Sequence, residues 1–403
     1  MIFPRSPTAF TTSLMRSVEL FAGCGGLAFG LAEAGFEHVM VIEKDPQASA
    51  TLESNKKRAV RHYAEWPISA IDVREADYSP LAGTVDLVAG GPPCQPFSIG
   101  GKHKGPTDPR NMWPEAIRAV RELRPKAFLF ENVRGLLRPA FADYLAFLRL
   151  QLSWPELENP SCGWREHFRT LRAHESSGAG PNYHVLVQGI NAADYGAPQK
   201  RHRAIVLGIR RDVAASVSFP APTHSRDALL WDQRVSLEYW ERHGIAHGGR
   251  PALAEADRGP VDRVREMKTR PSEHRWMTVR DAIGDLPRPP LARESVANHR
   301  LHPGARLYER HTGSSWDEPA KALKAGDHGV PGGENVLVGR RGAVRYFTIR
   351  EMARLQGLPD AFEIEGSWKA PIKQLGNAVP VHVGRVFGKA IVRTISLPTR
   401  TAR

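Results

Sequence analysis

Short apolar runs alternate with amphipathic stretches through residues 17–207, and this alternation limits the fold more than any other feature of the chain. Strands separated by helical segments are typical of a parallel sheet covered by helices. The runs lie at 17–21, 39–43, 85–90, 127–133, 184–190 and 203–209. We therefore predict an α/β fold with a doubly wound, mostly parallel sheet. Its ligand should lie at the carboxyl ends of the strands.

The pattern changes between residues 211 and 345, where Pro, Gly, His and Arg are frequent and apolar runs are short. Such a region is either a loop-rich second domain or partly disordered. Its aromatic residues favour an ordered domain, because they supply core material. They are Trp231, Tyr239, Trp240, Trp276 and Trp316.

Helical spacing returns at 348–358, and a final apolar helix is predicted at about Val381–Ser396. These elements divide the chain into an unstructured tail (1–14), a body (15–210 and 346–403) and a second domain (211–345). We use "second region" below for residues 211–345.

The charge is unevenly distributed along the chain. Residues 1–198 contain 21 basic and 21 acidic side chains, so their charges cancel. Residues 199–403 contain 35 basic and 22 acidic ones and therefore carry the whole net charge of +13. This division is typical of a catalytic body joined to a polyanion-binding surface, although an arginine-rich proteome would give the same composition. The three cysteines argue for a reducing compartment and against a disulfide framework. No run of 18 apolar residues offers a membrane span.

A glycine turn follows the first strand, with Gly23, Gly25 and Gly26 in the segment ELFAGCGG (19–26). Glycines allow a sharp turn and a close approach of a ligand to the next helix. Glu43 ends the second strand, where a carboxylate can bind a ribose hydroxyl. Asp72 ends the next strand and could accept a hydrogen bond from an adenine amino group. The pattern predicts a nucleoside site, in an NAD enzyme or in a methyltransferase.

A cysteine stands in a second turn, VDLVAGGPPCQPFS (85–98). A buried type of strand runs into Gly-Gly-Pro-Pro, and Cys94 follows at the strand's carboxyl end. Because proline fixes the backbone, the thiol is presented at a set position, whereas a structural cysteine normally lies within an apolar run. We therefore predict that Cys94 is reactive. Cys24 and Cys162 are expected to be incidental.

With these two turns, the sequence resembles the DNA (cytosine-5)-methyltransferase family. Six segments match the family's motifs in order: FAGCGG (21–26), GGPPCQPFS (90–98), ENV (131–133), QKRHR (199–203), REMARLQGLP (350–359) and QLGNAVP (374–380). The resemblance implies the class I S-adenosylmethionine-dependent methyltransferase fold, with a variable target-recognition domain at 211–345. It also implies a monomeric bacterial cytoplasmic enzyme acting on double-stranded DNA, with a separately acting restriction endonuclease as a candidate partner.

The resemblance assigns the catalytic residues. Cys94 would add to carbon 6 of cytosine, so that carbon 5 can attack the methyl group of S-adenosylmethionine. Glu131 would meet ring nitrogen 3 and the exocyclic amine as a protonated carboxyl, a state that burial can maintain. Arg201 and Arg203, on a strand whose alternate residues share a face, are candidates to favour the thiolate and to hold the base or its phosphate.

The resemblance also assigns ligand contacts. Those to the cofactor are Phe21, Gly23, Gly25, Gly26, Glu43, Asp72, Pro93, Trp113, Asn377 and Val379. Those to DNA are Ser98, Lys102 and Gln199. The cytosine must leave the stack, and the glycine-rich, basic segment 98–113 is predicted to be a mobile loop that closes over it.

Two residues depart from the family pattern. Glu19 stands where the family usually has Asp, and Ala322 in PAKALKAG (319–326) stands where Thr is expected. The second change puts one hydroxyl contact to a backbone phosphate in doubt, without a predicted loss of catalysis.

Three other readings compete with this one. An NAD-dependent oxidoreductase explains the glycine turn and Glu43 but not Cys94, Glu131 or the basic half. A DNA-binding regulator built on an inactive body is disfavoured by the intact Cys94 and Glu131. A tRNA cytosine methyltransferase shares the chemistry, but the long second region favours DNA, because reading base pairs requires a domain that reaches the groove.

Overall fold

A computed structural model describes residues 14–93, 108–159, 162–290, 296–307, 312–326, 335–339 and 342–396. Cys94, Ser98 and Lys102 lie outside these residues, as do the predicted mobile loop up to residue 107 and all but the last residue of the predicted tail.

Seven strands form one mixed sheet, and smaller two-stranded sheets lie outside it. The strands are β1 (Met15–Leu20), β2 (Phe36–Ile42), β3 (Ile68–Ser69), β4 (Leu87–Gly90), β5 (Ala127–Val133), β6 (Tyr183–Asn191), β7 (Gln199–Lys200), β8 (His202–Arg210), β9 (His224–Ser225), β10 (His274–Arg275), β11 (Ala320–Lys321), β12 (Val336–Val338) and β13 (Val344–Tyr346). The large sheet has the order β3-β2-β1-β4-β5-β8-β6. Strand β8 runs antiparallel to both of its neighbours, β5 and β6. The pairs β3–β2, β2–β1, β1–β4 and β4–β5 are parallel. The predicted mostly parallel sheet is confirmed.

Helices cover both faces of the sheet because alternate strand residues enter two different cores. On β5, Phe128 and Phe130 join a cluster with the helix Trp113–Leu123, whereas Ala127 and Leu129 join a cluster with the helices Gly26–Glu33 and Val381–Ser396. The helices are α1 (Gly26–Glu33), α2 (Pro46–Lys57), α3 (Trp113–Leu123), α4 (Ala142–Ser153), α5 (Trp164–Ser176), α6 (Arg226–Arg234), α7 (Glu238–Arg242), α8 (Arg258–Glu266), α9 (Val279–Ile283), α10 (Ile349–Leu355), α11 (Lys369–Asn377) and α12 (Val381–Ser396). None in the described part of the chain is long and apolar enough to cross a membrane.

The last helix packs against the first helix of the chain. A Cβ on Gly30 of α1 would lie 2.2 Å from the carbonyl oxygen of Val381, at the start of α12. A Cβ on Gly384 of α12 would lie 2.7 Å from the carbonyl oxygen of Leu27. Only glycine allows this close approach, so the two helices are fixed against each other.

The described part of the second region is ordered, but it does not have a core entirely of its own. One small cluster contains Leu229, Tyr239, Trp240 and Trp276. Other apolar residues of the region join a larger cluster that includes residues of the glycine turn and α2. The residues that cross the predicted boundary in this way are Val279, Ile283, Ala320, Leu323 and Leu337. The second region and the body therefore share part of their hydrophobic core.

Candidate active site

The carboxyl ends of the parallel strands and the start of antiparallel β8 meet at one edge of the sheet, which we call the carboxyl edge. Here β5 ends in Glu131–Asn132–Val133, and Val133 pairs with Arg203 near the start of β8. Glu131 Oε1 lies 2.5 Å from Arg203 Nε, and Glu131 is only 7% exposed. A buried carboxylate and a guanidinium are thus held as an ion pair at the predicted catalytic position.

The turn that precedes Cys94 is tied to the same strand end. Asn132 Nδ2 donates a hydrogen bond to the carbonyl oxygen of Pro92 over 3.1 Å. A Cβ on Gly91 would lie 3.5 Å from Glu131 Oε2, so the backbone of the turn passes close to this carboxylate. The described chain stops at Pro93 and resumes at Asp108. The geometry places the approach to Cys94 beside Glu131 and Arg203.

Arg201 does not share the environment of Arg203, although the predicted strand put them on one face. Its side chain is fully buried, and Nη1 and Nη2 donate to the carbonyl oxygens of Leu323 and Gly376 over 3.1 and 2.8 Å. The reason is that β7 and β8 are separate strands, and Arg201 lies between them. This position does not support direct contact of Arg201 with a base or phosphate.

Gln199 is also fully buried. Its Oε1 accepts from the backbone N–H of Leu323 over 3.0 Å, and its Nε2 donates to the carbonyl oxygen of Leu355 over 3.3 Å. The predicted DNA contact through Gln199 is therefore not supported by its position. Gln199 and Arg201 instead connect the body to the segment around Leu323.

The glycine turn contains left-handed backbone and leaves space beside Gly23. Phe21, Gly23 and Gly25 have φ angles of 55°, 57° and 84°, in the left-handed region. A Cβ on Gly23 would meet nothing within 4 Å, whereas one on Gly26 would lie 2.4 Å from the carbonyl oxygen of Val379. Gly26 therefore fits the turn closely against the segment returning from the chain's end, and Gly23 leaves room at the carboxyl edge. Asn377, at the end of α11, is exposed two residues before Val379.

Glu43 and Asp72 follow the neighbouring strands β2 and β3. Glu43 accepts from the backbone N–H groups of Gly23 and Asp45, each over 2.7 Å, and burial raises the pKa of its carboxyl. Asp72 accepts from Arg74 Nη2 over 2.7 Å and from Lys44 Nζ over 3.1 Å. The hydrogen bond from Arg74 is the main reason that the pKa of Asp72 is well below its usual range.

Glu19 is a site residue that the sequence analysis did not select. It is 1% exposed, and among the described residues its Oε2 has no hydrogen-bond partner. Burial raises the pKa of this carboxyl well above its usual value. A buried carboxyl without a partner is costly unless a ligand supplies one. The available signal was an acidic residue in an apolar strand, directly before the glycine turn.

Trp113, at the start of α3, carries a second buried polar atom without a hydrogen-bond partner in the described structure. Its ring is fully buried and meets Phe130 edge-on at 5.8 Å. Its Nε1 donor is buried and has no partner in the described structure. Phe21, whose side chain packs against the same apolar cluster, brings the glycine turn into this neighbourhood.

These residues fit a nucleoside ligand. Glu19, Glu43 and Asp72 offer three carboxyl groups at successive strand ends, Gly23 leaves space, and the Trp113 indole has a free donor in the described structure. No group of three or more metal-ligating side chains occurs among the residues that the structure describes.

Comparisons with known proteins identify the family of the chain. The family model for C-5 cytosine-specific DNA methylase matches residues 15–152 and 171–393. The Type II methyltransferase M.PspPI from Psychrobacter sp. (strain TA137) is 33% identical over 94% of this chain and 79% of its own length. M.Eco47II from Escherichia coli is 30% identical over 96% of this chain and 81% of its own length.

Solved structures support the fold. The S. pombe Dnmt2 methyltransferase superposes with a TM-score of 0.54 at 18% identity, covering 95% of this chain and 100% of that one. The Entamoeba histolytica methyltransferase EhMeth gives a TM-score of 0.55 at 13% identity, covering 94% and 98%. This chain thus shares the mixed seven-stranded fold of these structures.

The chain belongs to the C-5 cytosine-specific DNA methylase family. It is accordingly a DNA (cytosine-5-)-methyltransferase, related to the methyltransferases of Type II restriction-modification systems.

Proposed function

We propose that this enzyme transfers a methyl group from S-adenosylmethionine to carbon 5 of a flipped cytosine in a specific double-stranded DNA sequence, through a covalent adduct with Cys94. One observation carries the proposal. The turn leading to Cys94 is hydrogen-bonded through Pro92 to Asn132, beside the Glu131–Arg203 ion pair.

S-adenosylmethionine, when bound, supplies a methyl group made electrophilic by its sulfonium. Glu43 and Asp72 would bind the ribose and the adenine amino group. Glu19 would accept from the amino group of the methionine part, which relieves its unpartnered burial. Gly23 and Pro93 would line the space, with Asn377 and Val379 closing it from the chain's end.

The chain's own residues would activate the cytosine. The Cys94 thiolate adds to carbon 6 and forms a carbon–sulfur bond, and the electron pair of the ring's 5,6 double bond makes carbon 5 nucleophilic. Glu131, in its protonated form, donates that proton to nitrogen 3 as negative charge develops there, and takes it back when the 5,6 double bond returns. After methylation a water molecule removes the carbon 5 proton, and the thiolate leaves as the double bond returns.

The two arginines would take different parts. Arg203, paired with Glu131, orients that carboxyl and adds positive charge at the carboxyl edge. Arg201 is a positioning residue, because its hydrogen bonds to Leu323 and Gly376 fix the surroundings of the site without reaching the base.

The substrate would be held between the body and residues 211–345. A stacked base is inaccessible, so the cytosine must swing out at a cost of a few kcal/mol. Loop residues Ser98 and Lys102 are proposed phosphate contacts. We further propose that the enzyme acts as a monomer in a bacterial cytoplasm, with any restriction endonuclease partner acting separately.

Trapping with 5-fluorocytosine tests the proposal, because fluorine replaces the proton that must leave. Long bacteriophage DNA copied with the fluorinated nucleotide should give a stable complex through Cys94 only when S-adenosylmethionine is present. Cys94→Ser should give no complex, and the matched Cys162→Ser variant should give as much as the wild type.

Methyl transfer without trapping, or trapping through another residue, would contradict the assignment of Cys94. A parallel assay with radiolabelled methyl groups on DNA and on tRNA separates the DNA enzyme from its tRNA alternative. If neither DNA nor tRNA becomes labelled, the proposed function is wrong.

A further inference from the structure

Two lysines stand directly opposite each other outside the site described above. Strands β7 and β11 pair in parallel, and the register places Lys321 beside Lys200. Residues opposite in such a pair point to the same face. The neighbours of Lys200 on its own segment, Gln199 and Arg201, are fully buried, whereas the Lys200 side chain is 39% exposed. The lysine pair therefore lies on the outer face of the two strands.

The charges of this pair are incompletely neutralised within the described structure. Lys200 Nζ lies 3.3 Å from Glu318 Oε2. Lys321 Nζ donates to the hydroxyl of Thr312, a neutral group, and no described carboxylate pairs with it. Like charges directly opposite on paired strands are destabilising. An anion bound between the two ammonium groups would offset that repulsion.

The pair lies close to Arg203 in the chain, and buried residues hold its two strands together. Lys200 precedes Arg203 by three residues, which corresponds to roughly 10 Å of extended chain. Arg203 belongs to the carboxyl edge and pairs with Glu131. The two strands are fixed from behind, because Gln199 and Arg201 both bind the backbone of Leu323. The lysines are thus presented on a rigid support beside the site.

We propose that Lys200, Lys321 and the Thr312 hydroxyl bind one backbone phosphate of the DNA next to the target cytosine. Two ammonium groups and a hydroxyl match the several oxygens of a phosphodiester better than a single carboxylate. The site also offers a contact at the position where Ala322 lacks a hydroxyl. This inference rests on the proposed function, since it concerns how the same enzyme holds its substrate.

The salt dependence of DNA binding tests this site. A 30-base-pair duplex of random sequence is a sufficient probe, because phosphate contacts do not depend on sequence. Relative to the wild type, Lys200→Gln/Lys321→Gln should reduce the slope of log K against log salt by about 0.9, as expected for one lost phosphate contact. Its KM for bacteriophage DNA should rise more than kcat falls. Lys321→Arg should restore most of the slope, and Lys389→Gln on the exposed side of α12 is the matched control.

An unchanged slope in the double variant, or a change no larger than that of Lys389→Gln, would overturn the proposal. So would a site for free phosphate alone: inorganic phosphate would raise the melting temperature of the wild type but not of the double variant, with equal DNA binding by both. Radiolabelled methyl transfer by the wild type distinguishes failure of the proposed function from failure of the phosphate site alone. If the wild type transfers no methyl group, the proposed function fails; if it does and the slopes agree, only the phosphate site fails.

Discussion

The body and the second region are stabilised in different ways. In the body, alternate strand residues fill two large apolar cores, and the polar site groups stand at the strand ends. In the second region the apolar clusters are smaller, and ion pairs connect its elements. These pairs include Arg275–Asp281 at 2.8 Å, Arg280–Asp317 at 2.7 Å and Arg270–Asp232 at 3.1 Å.

This difference changes what the charge distribution means. The basic excess of residues 199–403 predicts a polyanion-binding surface, but several of these arginines are structural. Arg350, for example, is fully buried and donates to the carbonyl oxygens of Ala297, Pro359 and Phe362. The surface available to DNA is therefore smaller than the charge count indicates, and individual cations outside the core, such as the half-buried Lys321, matter more.

The largest effect should come from two arginines with different partners: Arg203 pairs with Glu131 inside the body, and Arg201 connects the body to Leu323 of the second region. Arg203→Gln should lower kcat by about 10²–10³-fold, because Glu131 loses the cation that orients it. Arg201→Met should lower the free energy of unfolding by about 2–4 kcal/mol, because two buried carbonyls lose their donor. Single-turnover methylation measures the rate in both variants, and urea unfolding measures their free energy of unfolding. Equal effects of the two substitutions on both quantities would show that the arginines do not have separate roles.

A buried histidine should make the body sensitive to acid. His38 is 4% exposed, with its Nδ1 2.9 Å from Ser17 Oγ and its Nε2 2.8 Å from the carbonyl oxygen of Ala28. Burial lowers the pKa of His38 from 6.5 to about 4. The unfolded chain binds the proton first as the pH falls, so stability is complete above pH 6.5 and declines toward pH 4, by at most about 3 kcal/mol. The free energy of unfolding should depend less steeply on pH across this range in His38→Gln than in the wild type. An equal pH dependence in both proteins would contradict this role of His38.

A smaller effect is expected in the second region at Asp281. Burial raises the pKa of this carboxyl, but the Arg275 guanidinium and the hydrogen bonds from Thr278 together outweigh that and the net pKa is lowered. The resulting stabilisation is present above pH 4 and is lost as the pH falls below that value. Asp281→Asn should therefore cost about 2 kcal/mol at neutral pH. Asp262→Asn, at an exposed pair 3.6 Å from Arg265, should cost under about 0.5 kcal/mol. Equal costs in urea unfolding would mean that the ion pairs of this region do not stabilise it.

The elements of the body could be predicted because their signals are local. The strand at 127–133 and the helix at Val381–Ser396 have the predicted bounds. The glycine turn and the Gly-Gly-Pro-Pro turn follow their strands as expected, since apolar periodicity and turn residues act over a few neighbouring positions. The second region gave weaker signals because its short helices depend on ion pairs between distant residues.

The sequence by itself determined the fold class, the position of Glu131 at a strand end and the family motifs, because strand period and turn chemistry are written in adjacent residues. Only the tertiary structure decided that Arg203 meets Glu131 while Arg201 is buried, that Glu19 has no partner among the described residues, and that Lys200 lies beside Lys321. Each of these depends on contacts or register between segments far apart in the chain, and no local pattern specifies them.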